Sequence, residues 1–216
     1  MTISPKRKIV RSPNRSKRTP APTKEKLLAT ATSLIEIHFL EEITSEMVLE
    51  ECGVSRGSLY HHFEDFSDLL EQALVRKFAG HVDESIEALT KVVYDSKSVE
   101  EMLAQLSLAL EVIHSSANSS NRYFRARLIG LAESNDRLTQ RLAIEQKRLS
   151  DTLADLFAEG QRKGWMNRNF DPSIASIFIQ AYTLGKVIDD VSEEKIDPDR
   201  WNAFINQAVR LLFCQG

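Results

Sequence analysis

The sequence has few of the residues that cross-link, bend or interrupt a fold. Its 216 residues include two cysteines, eight glycines and six prolines. Cys52 and Cys214 lie far apart in apolar surroundings, so we expect reduced, structural thiols rather than a disulfide. No apolar run approaches the roughly 18 residues that a membrane helix needs, and the basic N-terminus lacks the apolar core of a signal peptide. These absences predict a cytoplasmic protein without membrane contact.

Signatures of catalysis and of bound cofactors are also missing. The sequence has no phosphate-binding loop, no G-x-S-x-G elbow and no Cys/His cluster at metal-ligand spacing. His61 and His62 are adjacent, and on a helix they would point about 100° apart, so they cannot chelate one metal ion. The other three histidines are scattered. We therefore predict no enzymatic activity, no metal site and no cofactor.

The apolar residues, 42% of the chain, recur at helical spacing, and no stretch alternates as a strand does. We predict an all-α fold of about nine helices. The first would be capped by Thr23, and a short pair would lie within residues 44–63. A long helix capped by Ser67 would end near Tyr94. The remaining helices are expected at residues 99–115, 121–133, 135–163, 171–192 and 198–213.

Charge is distributed unevenly along the chain. Residues 1–26 contain nine basic residues and one acidic residue, a net charge of +8, and the rest of the chain carries −11 because the whole carries −3. Residues 1–22 also contain four prolines and little apolar surface, so we expect a disordered basic arm. Two interpretations stay open for it, a solvated leader without a role or an arm that helps to hold a polyanion such as DNA.

Residues 44–63 predict two short helices joined by a tight turn. Thr44 or Ser45 can cap the first helix, and Gly53 can end it in a left-handed conformation that costs glycine little. Ser55 can cap the second helix. Two helices joined by a three- or four-residue turn containing glycine are typical of a helix-turn-helix, whose second helix enters the DNA major groove.

The second helix of this pair would expose a polar face without acidic residues. With Leu59 and Phe63 packed inward, the helical period places Gly57 and His61 on the opposite side. Glycine there weakens the helix by up to about 1 kcal/mol relative to alanine, but it lets a phosphate approach the backbone N–H groups. Arginine is the common partner of guanine. The predicted DNA contacts are Lys24, Thr44, Ser45, Ser55, Arg56, Gly57, Ser58, Tyr60, His61 and His62.

Residues 53–63, Gly-Val-Ser-Arg-Gly-Ser-Leu-Tyr-His-His-Phe, with Leu69-Leu70 after them, resemble the DNA-binding domain of the TetR family of transcriptional regulators. The resemblance is strongest over residues 24–74. It implies a helix-turn-helix domain of three helices at 23–66, after the arm at 1–22, and a larger helical effector-binding and dimerisation domain at 67–216. It also implies a homodimeric repressor that binds a palindromic double-stranded DNA operator and is released by a small-molecule effector.

Two positions depart from the family's pattern. Phe39-Leu40 stand where the family usually has glycine followed by an aromatic residue, which leaves the shape of this connection open. Phe66 stands where the family often has a lysine that contacts phosphate, which leaves that contact open. In the family, the long helix after this point connects the DNA-binding head to the body. We therefore expect this helix to transmit the effect of a bound ligand to the head.

The family binds its ligand between the helices of the body. The bulky residues of the body could line a ligand cavity or belong to the ordinary core. Arg122, Arg125 and Arg127 share one short helix, where they could meet an anionic ligand or be solvated or ion-paired. The candidate ligand-binding residues are Tyr123, Phe124, Arg127, Leu128, Phe178 and Tyr182.

The last two long helices carry apolar bands wider than one core face requires. Such bands suit a symmetric four-helix interface between two chains, as the family forms, or two helices buried within one domain. The candidate interface residues are Ile174, Phe178, Ala181, Gly185, Ile188, Trp201, Phe204, Ile205, Ala208 and Leu212.

The charge of the head leaves a second function open. Across residues 27–66, Arg56 is the only lysine or arginine, against eight acidic residues. An acidic head repels phosphate at long range. The alternative is an all-α interaction module whose acidic helix-turn-helix contacts protein rather than DNA.

Overall fold

The computed structural model describes residues 22–214, so the basic arm predicted for residues 1–22 lies outside the described residues apart from Pro22. Among them ten α-helices follow one another, with short 3-10 turns at Leu40–Glu42 and Ser116–Asn118. Lys186 alone separates α8 from α9, so the predicted number of about nine is confirmed. The helices are α1 (Pro22–Ile37), α2 (Ser45–Cys52), α3 (Arg56–His62), α4 (Phe66–Asp95), α5 (Val99–His114), α6 (Ser119–Glu133), α7 (Asp136–Arg162), α8 (Pro172–Gly185), α9 (Val187–Asp190) and α10 (Pro198–Phe213).

The all-α class is confirmed. Within residues 22–214, β-structure is limited to an isolated antiparallel bridge between Met166 and Cys214. No helix in this part of the chain combines the length and the apolar character that a bilayer crossing requires.

The helix ends follow the expected chemistry with three corrections. Thr23 lies inside α1, which begins at Pro22, a residue well suited to a first helical turn. The cap of α4 is Asp65, not Ser67; its carboxylate accepts a hydrogen bond from the Asp68 N–H at 2.6 Å, so the helix starts before Ser67. The helix predicted to run to residue 192 breaks after Gly185.

Three apolar cores lie along α4. The first, the head core, joins α1, α2 and α3 to the start of α4 through Leu69 and Ala73. A central core surrounds Phe78 with residues of α6 and α7. A distal core includes Val92 and residues of α5, α8 and α10. The predicted domain boundary at residues 66–67 falls at the start of this helix, whose first turns pack into the head core.

Helices α4 and α7 run parallel over most of their length. Near their starts the Arg137 Nε donates to Glu71 at 2.7 Å, and near their ends the Lys163 Nζ donates to the Val93 carbonyl at 2.7 Å. The partners are 66 and 70 positions apart along the chain, so the two helices stay nearly in register. At 1.5 Å per residue, α4 extends for about 45 Å. Both helices therefore reach from the head to the distal core.

Candidate functional site

Helices α2 and α3 form a helix-turn-helix. Thr44, rather than Ser45, caps α2 by accepting from the Met47 N–H at 3.3 Å. Gly53 ends α2 in the left-handed region, with φ of 62°. Ser55 then caps α3 by accepting from the Ser58 N–H at 3.3 Å. The two helices are thus joined as the sequence predicts.

Two apolar anchors hold α3 on the head, and the rest of it faces outward. Leu59 and Phe63 are buried. Arg56, Gly57, Tyr60 and His61 are exposed, with 53% of Tyr60 accessible, while Ser58 and His62 are half-buried. The structure therefore brings most of the predicted contacts to one surface. Thr44 and Ser45 lie at the start of the neighbouring α2.

Lys24 and Arg56 supply positive charge at this surface. The Lys24 ammonium lies 5.1 Å from the centroid of the Phe63 ring, at the end of α3. The Arg56 guanidinium forms an exposed ion pair with Glu46 of α2. Because both side chains of that pair are exposed to water, the pair is weak and Arg56 can exchange Glu46 for another anion.

Most acidic residues of the head are neutralised by basic side chains. Glu36 pairs with Lys77 at 2.7 Å, and Glu41 pairs with Arg127 of α6. Glu64 and Asp65 both pair with Arg137 of α7, and Glu46 pairs with Arg56. Apart from Glu46, these carboxylates face α4 and the body. The sequence count gave the charge of the head correctly but could not show that five of eight carboxylates are paired.

A polar network around two buried carboxylates ties the start of α4 to the start of α7. We call it the α4–α7 ion-pair cluster, and it consists of Asp68, Glu71, Asn135, Arg137 and Arg141. Arg141 donates to Asp68 at 2.6 Å and to Glu71 at 2.9 Å, and Asn135 donates to Glu71 at 3.0 Å. Arg137 donates to both oxygens of Glu71, at 2.7 and 2.9 Å.

The hydrogen bonds of this cluster decide its charge states. Burial raises the pKa of Asp68, but the donors Gln72, Glu64 N–H and Arg141 outweigh burial and leave that pKa below its ordinary value. Hydrogen bonds from Arg137 to Glu71, and then to Asp65, raise the pKa of the arginine. Every member is charged or hydrogen-bonded at neutral pH, so the cluster is a fixed connection between head and body.

An apolar cavity of about 90 Å³ lies in the distal core. It is lined by parts of α4, α5, α7, α8 and α10, with Val92, Met102, Phe157, Met166, Tyr182 and Phe213 among its walls. Of the predicted ligand-binding residues, Tyr182 lines this cavity.

The other five predicted ligand-binding residues lie elsewhere. Leu128 is fully buried in the central core, and Phe124 packs against the same core. Arg127 pairs with Glu41 of the head, and Tyr123 is exposed. Phe178 is exposed beside Tyr182, with 6.1 Å between ring centroids. Helix α6 packs over the central core rather than the distal one, which separates its aromatic residues from the cavity.

Four polar side chains meet beside the cavity, and each has at least one buried atom without a well-formed hydrogen bond to the described chain, although Asn202 lies close enough to His114 to raise the pKa of that ring. We call them the His114 cluster. They are His114, Tyr182, Trp201 and Asn202, and their buried unpartnered atoms are both imidazole nitrogens, the Tyr182 hydroxyl, the Trp201 Nε1 and the Asn202 Oδ1. The His114 ring lies 5.6 Å from the Tyr182 ring and 5.8 Å from the Trp201 ring. Each buried polar atom left in this state costs about 1–3 kcal/mol.

Two internal ion pairs flank the His114 cluster. Arg122 is 4% exposed and grips both oxygens of Asp190, at 2.5 and 2.7 Å, while donating to the carbonyls of Ile113 and Ser115. Lys186 pairs with Asp189. The interpretation of Arg122 as an ion-paired arginine is confirmed.

The His114 cluster is electrically neutral at ordinary pH. Burial, assisted by the nearby charges of Arg122 and Lys186 and partly opposed by Asn202, lowers the pKa of His114 to about 4. Burial also raises the pKa of Tyr182. Imidazole and phenol are therefore both uncharged, and each can donate and accept hydrogen bonds.

Helices α8 and α10, with Ile188 of the short α9 between them, expose a broad apolar band. Ile174, Ile188 and Phe204 are 69%, 73% and 64% exposed, and Phe178, Ala181 and Leu212 are exposed as well. Gly185 and Ala208 are half-buried, and a Cβ added at Gly185 would meet no atom within 4 Å.

Two candidate interface residues face inward instead. Ile205 is 7% exposed and packs in the distal core, and Trp201 packs against that core beside His114. The apolar stripe of α10 is wide enough to serve both the core and the surface, so spacing alone did not separate these two residues from Phe204.

Across residues 22–214, no three His, Cys, Asp or Glu side chains converge as a metal site needs. Cys52 is buried and reduced, and Cys214 is a half-buried free thiol whose pKa burial raises.

Comparisons with known proteins agree with this architecture. Residues 27–73 match the model of the bacterial regulatory proteins of the tetR family. Over 194 residues the chain is 23% identical to the nucleoid occlusion factor SlmA of a Shewanella species, an alignment that covers 87% of this chain and 95% of the relative.

Solved structures share the fold over most of the chain. A protein from Mesorhizobium loti assigned to the TetR family of transcriptional regulators superposes with a TM-score of 0.66 at 13% identity, over 89% of this chain and 97% of the other. A transcriptional regulator from Saccharomonospora viridis, solved in complex with choline, superposes with a TM-score of 0.64 at 16% identity, over 89% and 98%. Residues 27–73 are therefore a DNA-binding domain of the tetR family of bacterial regulatory proteins, carried on the all-α fold of regulators of that family.

Proposed function

We propose that the protein is a homodimeric transcriptional repressor that binds a palindromic DNA operator through α3 and releases it when a small molecule binds the body. The observation that carries this proposal is the outward face of α3, which presents Arg56, Gly57, Tyr60 and His61 to solvent and contains no carboxylate. The acidic residues of the head support it too, since four of the eight are paired with basic groups of α4 and the body.

Gly57 offers a sharp test of DNA binding. A methyl group at this position would meet only the Ser55 hydroxyl, at an ordinary 3.8 Å, so the protein itself accommodates alanine. Gly57→Ala is expected to strengthen α3 by up to about 1 kcal/mol. If the backbone of α3 lies against a phosphate, the same change weakens binding to the DNA upstream of the gene about tenfold or more, measured by electrophoretic mobility shift.

Arg56→Ala and a matched control complete that experiment. Arg56→Ala is expected to reduce sequence preference by about 1–3 kcal/mol at one base pair. Gly130→Ala is the control, because this glycine of α6 is also exposed and has no atom within 4 Å of an added Cβ. Unchanged DNA binding in both head variants would argue against α3 as the reading helix.

The basic arm is proposed to supply affinity without sequence preference. Residues 1–20 carry seven basic residues and no acidic residue. Their deletion should weaken DNA binding and reduce the slope of its salt dependence, while the ranking of operator sequences stays the same. A salt slope equal to that of the full chain would contradict this division of labour.

The apolar band on α8 and α10 is proposed as the dimer interface. Phe204→Asp places a charge on its centre and should convert a dimer to a monomer, measured by analytical ultracentrifugation. Ile144→Asp on α7 is the matched control, since Ile144 is 69% exposed but lies outside this band. A monomeric wild type, or a dimer that survives Phe204→Asp, would argue against this interface.

The path from a ligand to the head is proposed to follow α4 and α7. Leu89, Val92 and Val93 of α4 and Leu153, Leu156 and Phe157 of α7 line the cavity. The opposite ends of the same helices meet the head at the α4–α7 ion-pair cluster. A ligand that favours one arrangement of the two helices can shift the positions of the heads by as much as its differential affinity allows.

A second candidate function follows from the similarity to a nucleoid occlusion factor over nearly the whole chain. In that case the protein would act from DNA without controlling a particular gene. Mapping its binding sites in the cell by chromatin immunoprecipitation separates the two. One or a few promoter sites favour a repressor, and many sites spread over the chromosome favour an occlusion factor. No DNA binding at all would favour the protein-interaction module.

A further inference from the structure

The His114 cluster lies between two spaces of different character. On one side, Tyr182 and Ile113, the neighbour of His114, line the apolar cavity. On the other side, His114, Trp201 and Asn202 line an outer pocket of about 330 Å³ that also includes Lys195 and Asp197 of the segment before α10. The His114 ring, tilted against Tyr182 and edge-to-face with Trp201, thus lies between an apolar interior and a polar, solvent-facing pocket.

We propose that the His114 cluster binds the hydrogen-bonding head of a small uncharged amphipathic molecule, of the class of short-chain primary amides, whose apolar chain occupies the cavity. The binding site stands on geometry alone, but its use as the effector site of a repressor rests on the function proposed above.

The unpartnered atoms of the His114 cluster favour a ligand head group that can both donate and accept hydrogen bonds. Trp201 Nε1 can only donate, and Asn202 Oδ1 can only accept. The Tyr182 hydroxyl and the neutral His114 ring can do either. A primary amide has one carbonyl acceptor and two N–H donors, so it can satisfy both kinds of partner at once. A head group that only accepts would leave the Asn202 oxygen dependent on the His114 N–H or the Tyr182 hydroxyl for its donor.

Charged head groups fit poorly because the charges around the cluster already cancel. Arg122 is held by Asp190, and Lys186 by Asp189, and all four side chains are buried or nearly so. The remaining charged residues of the outer pocket, Glu111, Lys195 and Asp197, are exposed to water. A carboxylate or an ammonium group placed between Tyr182 and Trp201 would therefore be buried without an opposite charge of its own.

The cavity sets the length of the chain. Its volume of about 90 Å³ is several times what one water molecule needs, so it can admit a short alkyl chain. Met102 and Met166 in its wall are flexible side chains that can adjust to a slightly longer chain. A tail of three or four carbon atoms is expected to fit best.

A matched set of probes tests the head group. Pentanamide, pentanoate and pentylammonium share a chain length and differ in charge, and acetamide lacks the chain. We expect pentanamide to bind the free protein with a dissociation constant on the order of millimolar or tighter, measured by NMR titration. The two ions and acetamide should bind about tenfold more weakly or worse. Equal binding of an ion, or no saturable binding of pentanamide, would overturn the proposal.

Two conservative variants test the location. Tyr182→Phe removes one unpartnered hydroxyl, and Trp201→Phe removes one unpartnered N–H, so neither breaks an existing hydrogen bond of the described chain. Each should weaken pentanamide binding about fivefold or more, as the loss of one hydrogen bond to ligand does. Tyr123→Phe, at an exposed tyrosine of α6, is the control and should bind as the wild type does. Wild-type affinity in both cluster variants would place the ligand elsewhere.

The same titration separates this inference from the proposed function because it uses protein without DNA. If pentanamide binds in a Tyr182-dependent manner but leaves operator binding unchanged, the site is correct and its effector role is wrong. If the protein binds operator DNA but none of the probes, the proposed regulator function stands and the proposed amide site is wrong.

Discussion

Two polar clusters of similar size lie in different parts of the molecule, one between the starts of α4 and α7 and the other among α5, α8 and α10. They differ in how fully the protein's own groups satisfy them. In the α4–α7 ion-pair cluster, Arg141 bridges Asp68 and Glu71, while Gln72 and the Glu64 N–H also donate to Asp68, and Asn135 and Arg137 also donate to Glu71. In the His114 cluster, five buried nitrogen and oxygen atoms have no partner among residues 22–214. One cluster is saturated by the protein itself, and the other is left with unused donors and acceptors.

This difference separates polar groups that hold the fold from polar groups that are available to a ligand. Removing a partner from a saturated buried network exposes the full desolvation cost of what remains. Removing a group that has no partner takes away a cost instead. Substitutions in the two clusters should therefore change stability in opposite directions.

The largest effect is expected at Arg141. Arg141→Ala leaves Asp68 and Glu71, each 5% exposed, with fewer opposing charges, and should lower the free energy of unfolding by about 3 kcal/mol. Chemical denaturation measures this change. Lys147→Ala, which removes an exposed pair with Asp151 on the same helix, is the control and should cost about 0.5 kcal/mol or less. Equal effects of the two variants would mean that the α4–α7 ion-pair cluster adds nothing to stability.

Next in size is the pH dependence of stability caused by His114. Its pKa in the folded protein is about 4, below the ordinary value of 6.5. Between these values the unfolded chain binds a proton that the folded chain does not, so stability falls as the pH falls from about 6.5 to 4. The slope for one proton is at most about 1.4 kcal/mol per pH unit.

His114→Gln should flatten that slope, as measured by denaturation at several pH values. His81 is the internal comparison, because burial and the Lys77 charge also lower its pKa. If His81→Gln flattens the curve and His114→Gln does not, His114 is not the buried neutral base described above.

A smaller effect of opposite sign is expected at Tyr182. Tyr182→Phe removes a buried hydroxyl that has no partner in the described structure, and without ligand it should raise the free energy of unfolding by about 1 kcal/mol. The midpoint of denaturation checks this value. Tyr94→Phe, at an exposed tyrosine of α4, should change stability little. A loss of stability in Tyr182→Phe would show that the hydroxyl is already satisfied, for example by water.

The smallest effect is expected at Arg127. Its ion pair with Glu41 joins head to body as the α4–α7 ion-pair cluster does, but Glu41 is largely exposed. Hydrogen bonding from Arg127, and then from the Glu41 backbone, lowers the pKa of Glu41, yet water screens the exposed pair, so it contributes little to stability. Arg127→Ala should therefore leave the denaturation midpoint nearly unchanged. A change as large as that of Arg141→Ala would show that burial does not set the cost.

The head could be predicted from the sequence in detail because its contacts are local. Gly53 and Ser55 set the turn through their own backbone preferences, and Leu59 and Phe63 mark the inner side of α3 by their spacing. The family resemblance covers this same part of the chain. Even here two helix caps were predicted wrongly, since Thr23 lies inside α1 and the Asp65 carboxylate caps α4 two residues before Ser67.

The body could be predicted only as a set of helices. Arg122 and Asp190 are 68 positions apart, and no local pattern joins them. Phe204 and Ile205 are adjacent and equally apolar, but one faces solvent and the other the core. No sequence pattern marks a cavity, because a cavity is space that the side chains of several distant helices leave unfilled. The one signal available was the presence of His114 and Trp201 at positions of apolar helical stripes.

The parallel arrangement of α4 and α7 also has a consequence for the order of folding. The head core uses residues 27–73, which leave the ribosome before α7 is made, so the head can close early during synthesis. Asp68 and Glu71 remain without their arginine partners until Arg137 and Arg141, about seventy residues later in the chain, have been synthesised. Long-range contacts of this kind form slowly. We expect a nascent chain that ends before α7 to have a folded head with an open, negatively charged flank, which closes when the second long helix arrives.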